Sequence, residues 1–273
     1  MPFAVCATPI GNLEDVTLRV LRELGEADVV LCEDTRRTKI LLERHGVTPA
    51  RLTSYHEHNE AKRTAEVLPR LAAGERVALV SDAGLPGVND PGARLIAAAL
   101  EAGVPVTVLP GPSAVETALV ASGLVGERYQ FLGYVPRGEK PLAALWEELG
   151  AWPHPAVAFE SPQRLPATLR SLARAAPKRP VAVCRELTKR FEEIVRGSAA
   201  EVAERFSEPP KGEITLVVGG APAAFDGGAA DEAVAAVAEL VAAGAPRRRA
   251  VAVVARLARI SRNTLYAESL KSR

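Results

Sequence analysis

Short apolar runs alternate with segments of helical pattern through the first part of the chain. Each run has four to six residues, which is too short for a helix, and each is bounded by turn residues, as is typical of buried strands. Regular alternation of strands and helices predicts a parallel sheet with helices on both faces, and therefore an α/β fold. The predicted strands are Phe3–Ala7, Asp28–Cys32, Leu52–Tyr55, Val77–Val80 and Val104–Leu109.

A glycine-rich loop, residues 81–92, follows the fourth of these runs. Its two Pro-Gly pairs cannot continue a strand, and a helical pattern from Ala93 to Ala102 begins directly after it. Asp90 is the predicted N-cap of that helix, and Pro91 suits its first turn. An open parallel sheet presents ligands in such a position, at the carboxyl ends of its strands. The glycine spacing does not fit G-x-G-x-x-G, the dinucleotide fingerprint.

Polar side chains cluster after four of the strands, at ends that a parallel sheet gathers along one rim. We therefore expect the clusters to converge on an active-site cleft. The cluster Glu33–Arg37 has two interpretations: an N-cap within a solvated charge cluster, or a functional set. In the second, Asp34 accepts or positions a proton, and Arg36 or Arg37 contacts a phosphate. The clusters occupy residues 8–12, 33–37, 56–59 and 81–84.

A metal site is not predicted. His56 and His58 lie two positions apart, and in an extended segment their rings would point to opposite faces. The three cysteines, Cys6, Cys32 and Cys184, stand singly inside apolar runs, as buried free thiols in a reducing cytosol do. No apolar run approaches the length of a membrane span and no export leader is recognised, so we expect a cytoplasmic protein.

A second set of strands and helices follows a Pro-Gly-Pro break, and we place a domain boundary inside Gly111–Ala114. We predict a first α/β domain over residues 1–112 and a second over 113–220, the latter with a hairpin strand at Glu192–Arg196. Small residues at 221–228 form a linker. A content of 48% hydrophobic and 25% charged residues is typical of a globular chain that buries a large core.

The tail, residues 231–273, is helical and basic, although the whole chain has a net charge of only +1. Two short amphipathic helices on either side of a turn near Ser261 give it a helix-turn-helix pattern. Its basic side chains are interpreted either as a solvated face or as contacts to nucleic-acid phosphates. The cations are Arg247, Arg248, Arg249, Arg256, Arg259, Arg262, Lys271 and Arg273, and the apolar positions are Val251, Val254, Leu257, Ile260, Leu265 and Leu270.

Nine motifs occur in one order over residues 4–218. That order resembles the small-subunit ribosomal RNA ribose 2′-O-methyltransferases of the tetrapyrrole methylase superfamily, and it is specific because nine motifs in sequence are hard to obtain by chance. The motifs are Ala7–Leu13 (ATPIGNL), Glu33–Arg36 (EDTR), Ser54–Glu60 (SYHEHNE), Ser81–Gly84 (SDAG), Asp90–Gly92 (DPG), Leu109–Ala114 (LPGPSA), Glu160–Pro162 (ESP), Arg185–Lys189 (RELTK) and Lys211–Glu213 (KGE).

The resemblance implies a two-domain tetrapyrrole-methylase-like (class III methyltransferase) α/β fold with a small helical C-terminal extension. It also implies a homodimer that binds S-adenosylmethionine in the cleft between the domains and methylates a cytidine ribose of small-subunit ribosomal RNA in the decoding region. The chain departs from the family at Leu85, which replaces a threonine, at Gly87–Asn89 and at Gln163. The implied cofactor-binding residues are Ile10, Asp82, Leu85, Ser113, Ala114, Phe159, Gly212, Glu213 and Ile214.

Methyl transfer requires in-line approach of the hydroxyl oxygen to the methyl group, so positioning should dominate the rate enhancement. A base within hydrogen-bond reach would help because a ribose hydroxyl is a weak acid, and the sequence leaves open whether Asp34 or His56 is that base. The predicted methyl-accepting wall is Asp34, Arg36, His56 and Asn59, and its alternative is Arg185, Glu186 and Lys189.

Three other functions fit parts of the pattern. A tetrapyrrole-type small-molecule methylase would share the fold and cofactor, but the basic tail and the motifs Glu33–Arg36 and Tyr55–Glu60 favour RNA, because a macrocycle needs a larger apolar cleft. A non-catalytic RNA-binding protein would need no cofactor cleft. A nicotinamide oxidoreductase would need the glycine fingerprint. We therefore expect an S-adenosylmethionine-dependent ribosomal RNA methyltransferase.

Overall fold

Two five-stranded sheets, one in each half of the chain, organise the protein. The structure is a computed structural model and describes residues 2–221, 227–258 and 262–271. The first sheet contains β1 (Phe3–Cys6), β2 (Val29–Cys32), β3 (Leu52–Ser54), β4 (Val77–Val80) and β5 (Val106–Leu109). All its strands are parallel, in the order β3-β2-β4-β1-β5, which confirms the predicted parallel sheet.

Helices cover both faces of this sheet. They are α1 (Leu18–Glu26), α2 (Thr35–Arg44), α3 (Glu60–Ala72) and α4 (Ala93–Glu101). Alternate residues of a strand face opposite sides, and here both sides are buried. Val5 packs in the cluster with Leu71 of α3 and Leu95 of α4, whereas Cys6 packs in the cluster with Leu24 of α1. For this reason the apolar runs of the sequence do not alternate between apolar and polar residues.

One N-cap and one helix start differ from those predicted. Helix α4 begins at Ala93, as predicted, but its N-cap is Gly92, with φ of 137°, so Asp90 is not the cap and Pro91 precedes the helix. A Cβ at position 92 would lie only 2.9 Å from Leu79 Cδ2, so close packing there requires glycine. Helix α2 begins at Thr35 rather than Thr38, because Asp34 accepts a hydrogen bond from the Arg36 amide and caps it.

The second sheet is mixed rather than parallel. It contains β6 (Gln130–Tyr134), β7 (Ala156–Glu160), β8 (Pro180–Arg185), β9 (Glu193–Ser198) and β10 (Ile214–Val218), in the order β6-β7-β10-β8-β9. Strands β6 and β7 are parallel, and the remaining pairs are antiparallel, including the predicted hairpin of β8 and β9. Its helices are α5 (Ala114–Ser122), α6 (Glu139–Ala151), α7 (Leu165–Ala175) and α8 (Ala199–Arg205).

The tail forms a small helical unit with an apolar core of its own. Its helices are α9 (Gly227–Ala242), α10 (Arg247–Leu257) and α11 (Arg262–Lys271). Val237, Val251 and Leu265 meet in its core, as the amphipathic pattern predicts. Leu257 and Leu270, placed on the apolar face by that pattern, are instead 74% and 54% exposed. Arg259, Ile260, Ser261, Arg273 and the Lys271 side chain lie outside the described residues.

A close junction joins the two domains beside the carboxyl ends of the first sheet. Ile10 leaves the first domain and is 7% exposed in an apolar cluster with Leu119 and Leu187 of the second. The Asn12 amide donates to Thr188 Oγ1 at 2.9 Å. A Cβ at Gly11 would lie 2.5 Å from Lys189 Cγ and 2.8 Å from the Leu187 carbonyl oxygen. The two loops therefore meet without room for a side chain at position 11.

Gly11→Ala should open this junction. Its methyl group overlaps backbone as well as side-chain atoms, so we expect a loss of about 1–3 kcal/mol in the free energy of unfolding. Gly150→Ala is the matched control: this helical glycine has nothing within 4 Å of an added Cβ, and the substitution should be neutral or stabilising. Urea unfolding of both variants measures the difference, and equal stabilities would contradict the close junction.

Candidate functional site

Backbone contacts hold the loops at the carboxyl rim of the first sheet together. Thr8 and Gly84 exchange two backbone hydrogen bonds of 2.8 and 3.0 Å, and Thr8 Oγ1 donates to the Ser81 carbonyl at 3.0 Å. Gly111 approaches Ala7 so closely that an added Cβ would lie 2.8 Å from the alanine Cβ. The loops after β1, β4 and β5 therefore form one braced edge that faces the second domain.

A large cavity lies between this edge and the second sheet, with a volume of about 1020 Å³. Its walls combine the rim loops of the first domain with β6, β7 and the start of β10. All the residues predicted to bind the cofactor line it, although they come from five separate segments of the chain. They are Ile10, Asp82, Leu85, Ser113, Ala114, Phe159, Gly212, Glu213 and Ile214.

The cavity lies at the upper end of the size range of ligand sites, because pockets for single ligands occupy about 300–1,000 Å³ and this one has a volume of about 1020 Å³. Residues of both domains line it, from Ile10 of the first to Tyr134 of the second. The cleft is therefore large enough to hold a cofactor.

Carboxylates form the wall on the side of the first domain. Asp82 accepts from the Asp34 amide at 3.0 Å and pairs with Arg37 Nη1 at 3.4 Å. Burial, and then the charge of Asp82, raise the pKa of Glu33. Burial, and then the charge of Glu33, raise the pKa of Asp90 to about 6. These groups repel one another, and a positively charged ligand in the cavity would relieve that repulsion.

Asp34 and Arg36 lie at the rim but are not among the residues that line the cavity. The Arg36 guanidinium donates two hydrogen bonds to the Asp34 carboxylate, at 3.1 and 2.8 Å. These bonds, together with the Arg36 amide, lower the pKa of Asp34 to about 2. A carboxylate of such low pKa is a poor proton acceptor. The structure therefore supports the interpretation of Asp34 as a helix cap in a charge cluster.

His56 and Asn59 form hydrogen bonds with each other and are not among the residues that line the cavity. Asn59 Oδ1 accepts from the His56 amide at 2.9 Å, and Asn59 Nδ2 lies 3.0 Å from His56 Nε2. His56 Nδ1 is buried without a hydrogen-bond partner among the described residues.

The expectation that His56 and His58 point to opposite faces was wrong. Residues 57–59 form a turn rather than an extended segment, and the two rings lie edge to face with centroids 5.9 Å apart. Across the part of the chain that the structure describes, no group of three His, Cys, Asp or Glu side chains could hold a metal ion. Within the same ranges, no helix is long and apolar enough to cross a membrane.

The opposite wall depends on a strained loop of the second domain. Glu186 and Thr188 have positive φ angles of 52° and 65°, which are costly for residues other than glycine. Glu186 Oε1 accepts from the Glu213 amide at 2.9 Å and from Lys189 Nζ at 3.0 Å, which holds the loop in place. Gly212, with φ of 97°, has no room for a Cβ beside Glu186. Its bare backbone therefore faces the cavity.

Sequence reasoning named neither Glu33, Asp90 nor Tyr134 as a site residue, although each lines the cavity. Glu33 and Asp90 belong to recognised motifs, but Asp90 was interpreted as a cap. Their common signal is position, because Glu33 directly follows a buried strand and Asp90 lies in the glycine-rich loop that follows another. Tyr134 closes β6, and nothing in its sequence context marks it as a cavity residue.

Comparison with known proteins identifies the family. Residues 3–203 match the family described as Tetrapyrrole (Corrin/Porphyrin) Methylases. The chain belongs to this family. A methylase from Mesorhizobium japonicum, named Ribosomal RNA small subunit methyltransferase I, is 44% identical over 223 residues, covering 81% of this chain and 76% of that protein. A protein of the same name from Synechocystis sp. is 39% identical over 272 residues, covering 97% and 96%.

Solved structures confirm the methylase fold. The crystal structure of uroporphyrin-III C-methyltransferase from Thermus thermophilus, in complex with S-adenyl homocysteine, superposes with a TM-score of 0.54. It is 22% identical and covers 80% of this chain and 96% of its own. At that identity the likeness shows the fold alone. The predicted two-domain methylase fold with a helical C-terminal extension is thus confirmed.

The raised pKa of Asp90 predicts how stability depends on pH. The folded methylase retains this proton up to about pH 6, whereas an unfolded aspartate releases it near about pH 4. The folded state therefore binds more protons between these values, and stability falls as pH rises through this range. Asp90→Asn removes the ionisation, and its Oδ1 still accepts a hydrogen bond.

The free energy of unfolding of Asp90→Asn minus that of the wild type should therefore be larger at pH 8 than at pH 4.5. Urea unfolding at both values measures the change, with Asp231→Asn on the exposed surface of α9 as a control that should not shift. A constant difference between Asp90→Asn and wild type at the two pH values would contradict the burial of an ionisable Asp90.

Proposed function

We propose that the chain is an S-adenosylmethionine-dependent ribosomal RNA methyltransferase that modifies a cytidine ribose at its 2′-oxygen, in the decoding region of the small ribosomal subunit. The observation that carries the proposal is the convergence of the cofactor motifs of both domains on one cavity. The names of relatives at 37–44% identity support RNA over a tetrapyrrole as the substrate. The remaining steps concern the cofactor, the proton and the RNA.

The residues of the cavity fit S-adenosylmethionine. When bound, this cofactor supplies an electrophilic methyl group on a positively charged sulfur. Asp82 and Glu33 provide negative charge for that cation, and Asp82 is only 19% exposed in its side chain. Bare backbone at Gly84 and Gly212, both at positive φ, permits close approach of the ligand. Position 85 contributes backbone, because leucine lacks the hydroxyl of the family's threonine.

We propose that Asp90 accepts the proton of the ribose hydroxyl. Its carboxylate lines the cavity, and a pKa of about 6 leaves it mostly ionised at neutral pH while still able to take up a proton. This carboxylate would take up the proton that the ribose hydroxyl loses when its oxygen is methylated. His56 stays a second prediction for this role. Asp34 is disfavoured because its pKa is lowered to about 2.

The RNA is proposed to lie across the rim of the first domain. Arg36, 88% exposed, and Arg37, 63% exposed, are available to phosphates there, while His56 and Asn59 shape the adjoining turn. Exposed cations of the tail would add contacts to phosphates that do not depend on sequence. We also propose that the protein is a cytoplasmic homodimer, as the family resemblance implies.

The direct test is incubation of the protein with labelled S-adenosylmethionine and small ribosomal subunits, followed by mapping of the methylated nucleotide. Asp90→Asn should lower kcat about 100-fold or more while cofactor affinity remains. For the wild type, kcat/KM should fall as pH falls through about 6. Asp82→Asn is the contrasting variant, since it still accepts from the Asp34 amide but should weaken cofactor binding. If the intact wild-type protein transferred label to no ribose, the proposed function would be rejected.

The salt dependence of binding to the small ribosomal subunit tests whether the basic tail contacts RNA. Arg248, Arg249 and Arg256 are exposed, so replacing all three with Gln should not alter the melting temperature. If they contact phosphates, the slope of log affinity for the small subunit against log salt should become shallower by roughly 2. Binding measured over a range of salt concentrations checks this. An unchanged slope would leave the tail as a solvated basic surface.

A further inference from the structure

Tyr134 is a large aromatic side chain that remains 62% exposed although it lines the cavity. It owes its position to a bulge in β6. Phe131 pairs with Val157, and Tyr134 pairs with Phe159. Between these two pairs β6 contains two residues and β7 only one, so β6 carries one extra residue. Gly133, with φ of 67°, belongs to this extra turn of the backbone.

The bulge decides which face of the sheet Tyr134 occupies. Side chains alternate along a strand, so in a regular strand Tyr134, three positions after Phe131, would lie on the opposite face. With the bulge, Phe131 and Tyr134 share the cavity face, and both rings pack edge-on against Phe159, with centroid distances of 5.0 and 5.6 Å. The result is an aromatic wall whose outermost ring is open to solvent.

This wall meets the loop that carries Asp90. An added Cβ at Gly133 would lie 3.1 Å from Asn89 Oδ1, so the bulge of the second domain touches the residue directly before Asp90. Tyr134 and Asp90 therefore border the same end of the cavity. The predicted cofactor residues Ile10, Asp82 and Gly212 line the same cavity.

We propose that Tyr134 is the platform on which the base of the methylated nucleotide stacks. The inference rests on the proposed function. A nucleotide of a large RNA enters the cavity only from its open side, and single RNA bases are commonly bound by stacking on exposed aromatic rings. A base on the outer face of Tyr134 lies beside the cofactor rather than in its place, because Phe159 backs the ring. Its ribose then faces Asp90.

Two substitutions separate stacking from simple apolar contact. Tyr134→Phe keeps the ring, whereas Tyr134→Leu removes it. Loss of a stacked base typically lowers affinity by roughly 5- to 150-fold, so Tyr134→Leu should lower kcat/KM for small ribosomal subunits by that factor. Tyr134→Phe should stay within about twofold of wild type, and S-adenosylmethionine should bind all three proteins equally in calorimetric titration. Phe191→Leu is the matched control, since Phe191 is 65% exposed outside the cavity.

Several outcomes would overturn the inference. Equal kcat/KM for the Leu and Phe variants rejects stacking, and weaker cofactor binding by Tyr134→Leu assigns the ring to the cofactor. If Tyr134→Leu changed the mass of the protein in solution, the ring would be assigned to an interface between two copies of this chain. Tyr134→Met, a second ringless variant, decides the matter if the Leu variant has a lower melting temperature. Absence of methylation by the wild type would instead reject the proposed function.

Discussion

The burial of Ile10 of the first domain within the apolar core of the second is the contact on which the site depends. Ile10 is 7% exposed there, and Gly11 permits the two loops to touch. This contact brings the carboxyl rim of the parallel sheet opposite the start of β10. Neither domain alone encloses the cavity, so the geometry of the site is as stable as the junction that closes it.

Charge gives the two walls of the cleft different properties. Glu33, Asp82 and Asp90 concentrate negative charge on the first domain, where burial makes ionisation costly for Glu33 and Asp90. The second domain contributes backbone at Gly212, the aromatic rings of Phe131, Tyr134 and Phe159, and carboxylates such as Glu213, which is paired with Lys189. In the proposed function, Asp82 and Glu33 provide negative charge for a cationic cofactor, and the aromatic rings provide a surface for a planar partner. One cleft thus offers distinct environments to the two molecules that it must bring together.

Much of this arrangement was predictable from the sequence. Continuous apolar runs indicated a parallel sheet buried on both faces, and polar residues after each strand located the rim. The pairing of β10 between two antiparallel neighbours was not predictable, because apolar runs carry no information on strand direction. Asp90 was misinterpreted because residues 90–92 all remain outside helix α4, so that Gly92 and not Asp90 directly precedes its first residue. Tyr134 was missed because one extra residue at a bulge reverses the face of a side chain.

The central claim is that the cleft holds the cofactor at the end formed by Asp82 and Gly212 and leaves the end formed by Asp90 and Tyr134 for the RNA. A crystal structure of the protein with S-adenosylhomocysteine tests it most directly. The account predicts density for this product between Asp82 and the stretch Gly212–Ile214, with the Tyr134 ring uncovered. Density stacked on Tyr134, or bound outside the cavity, would contradict it.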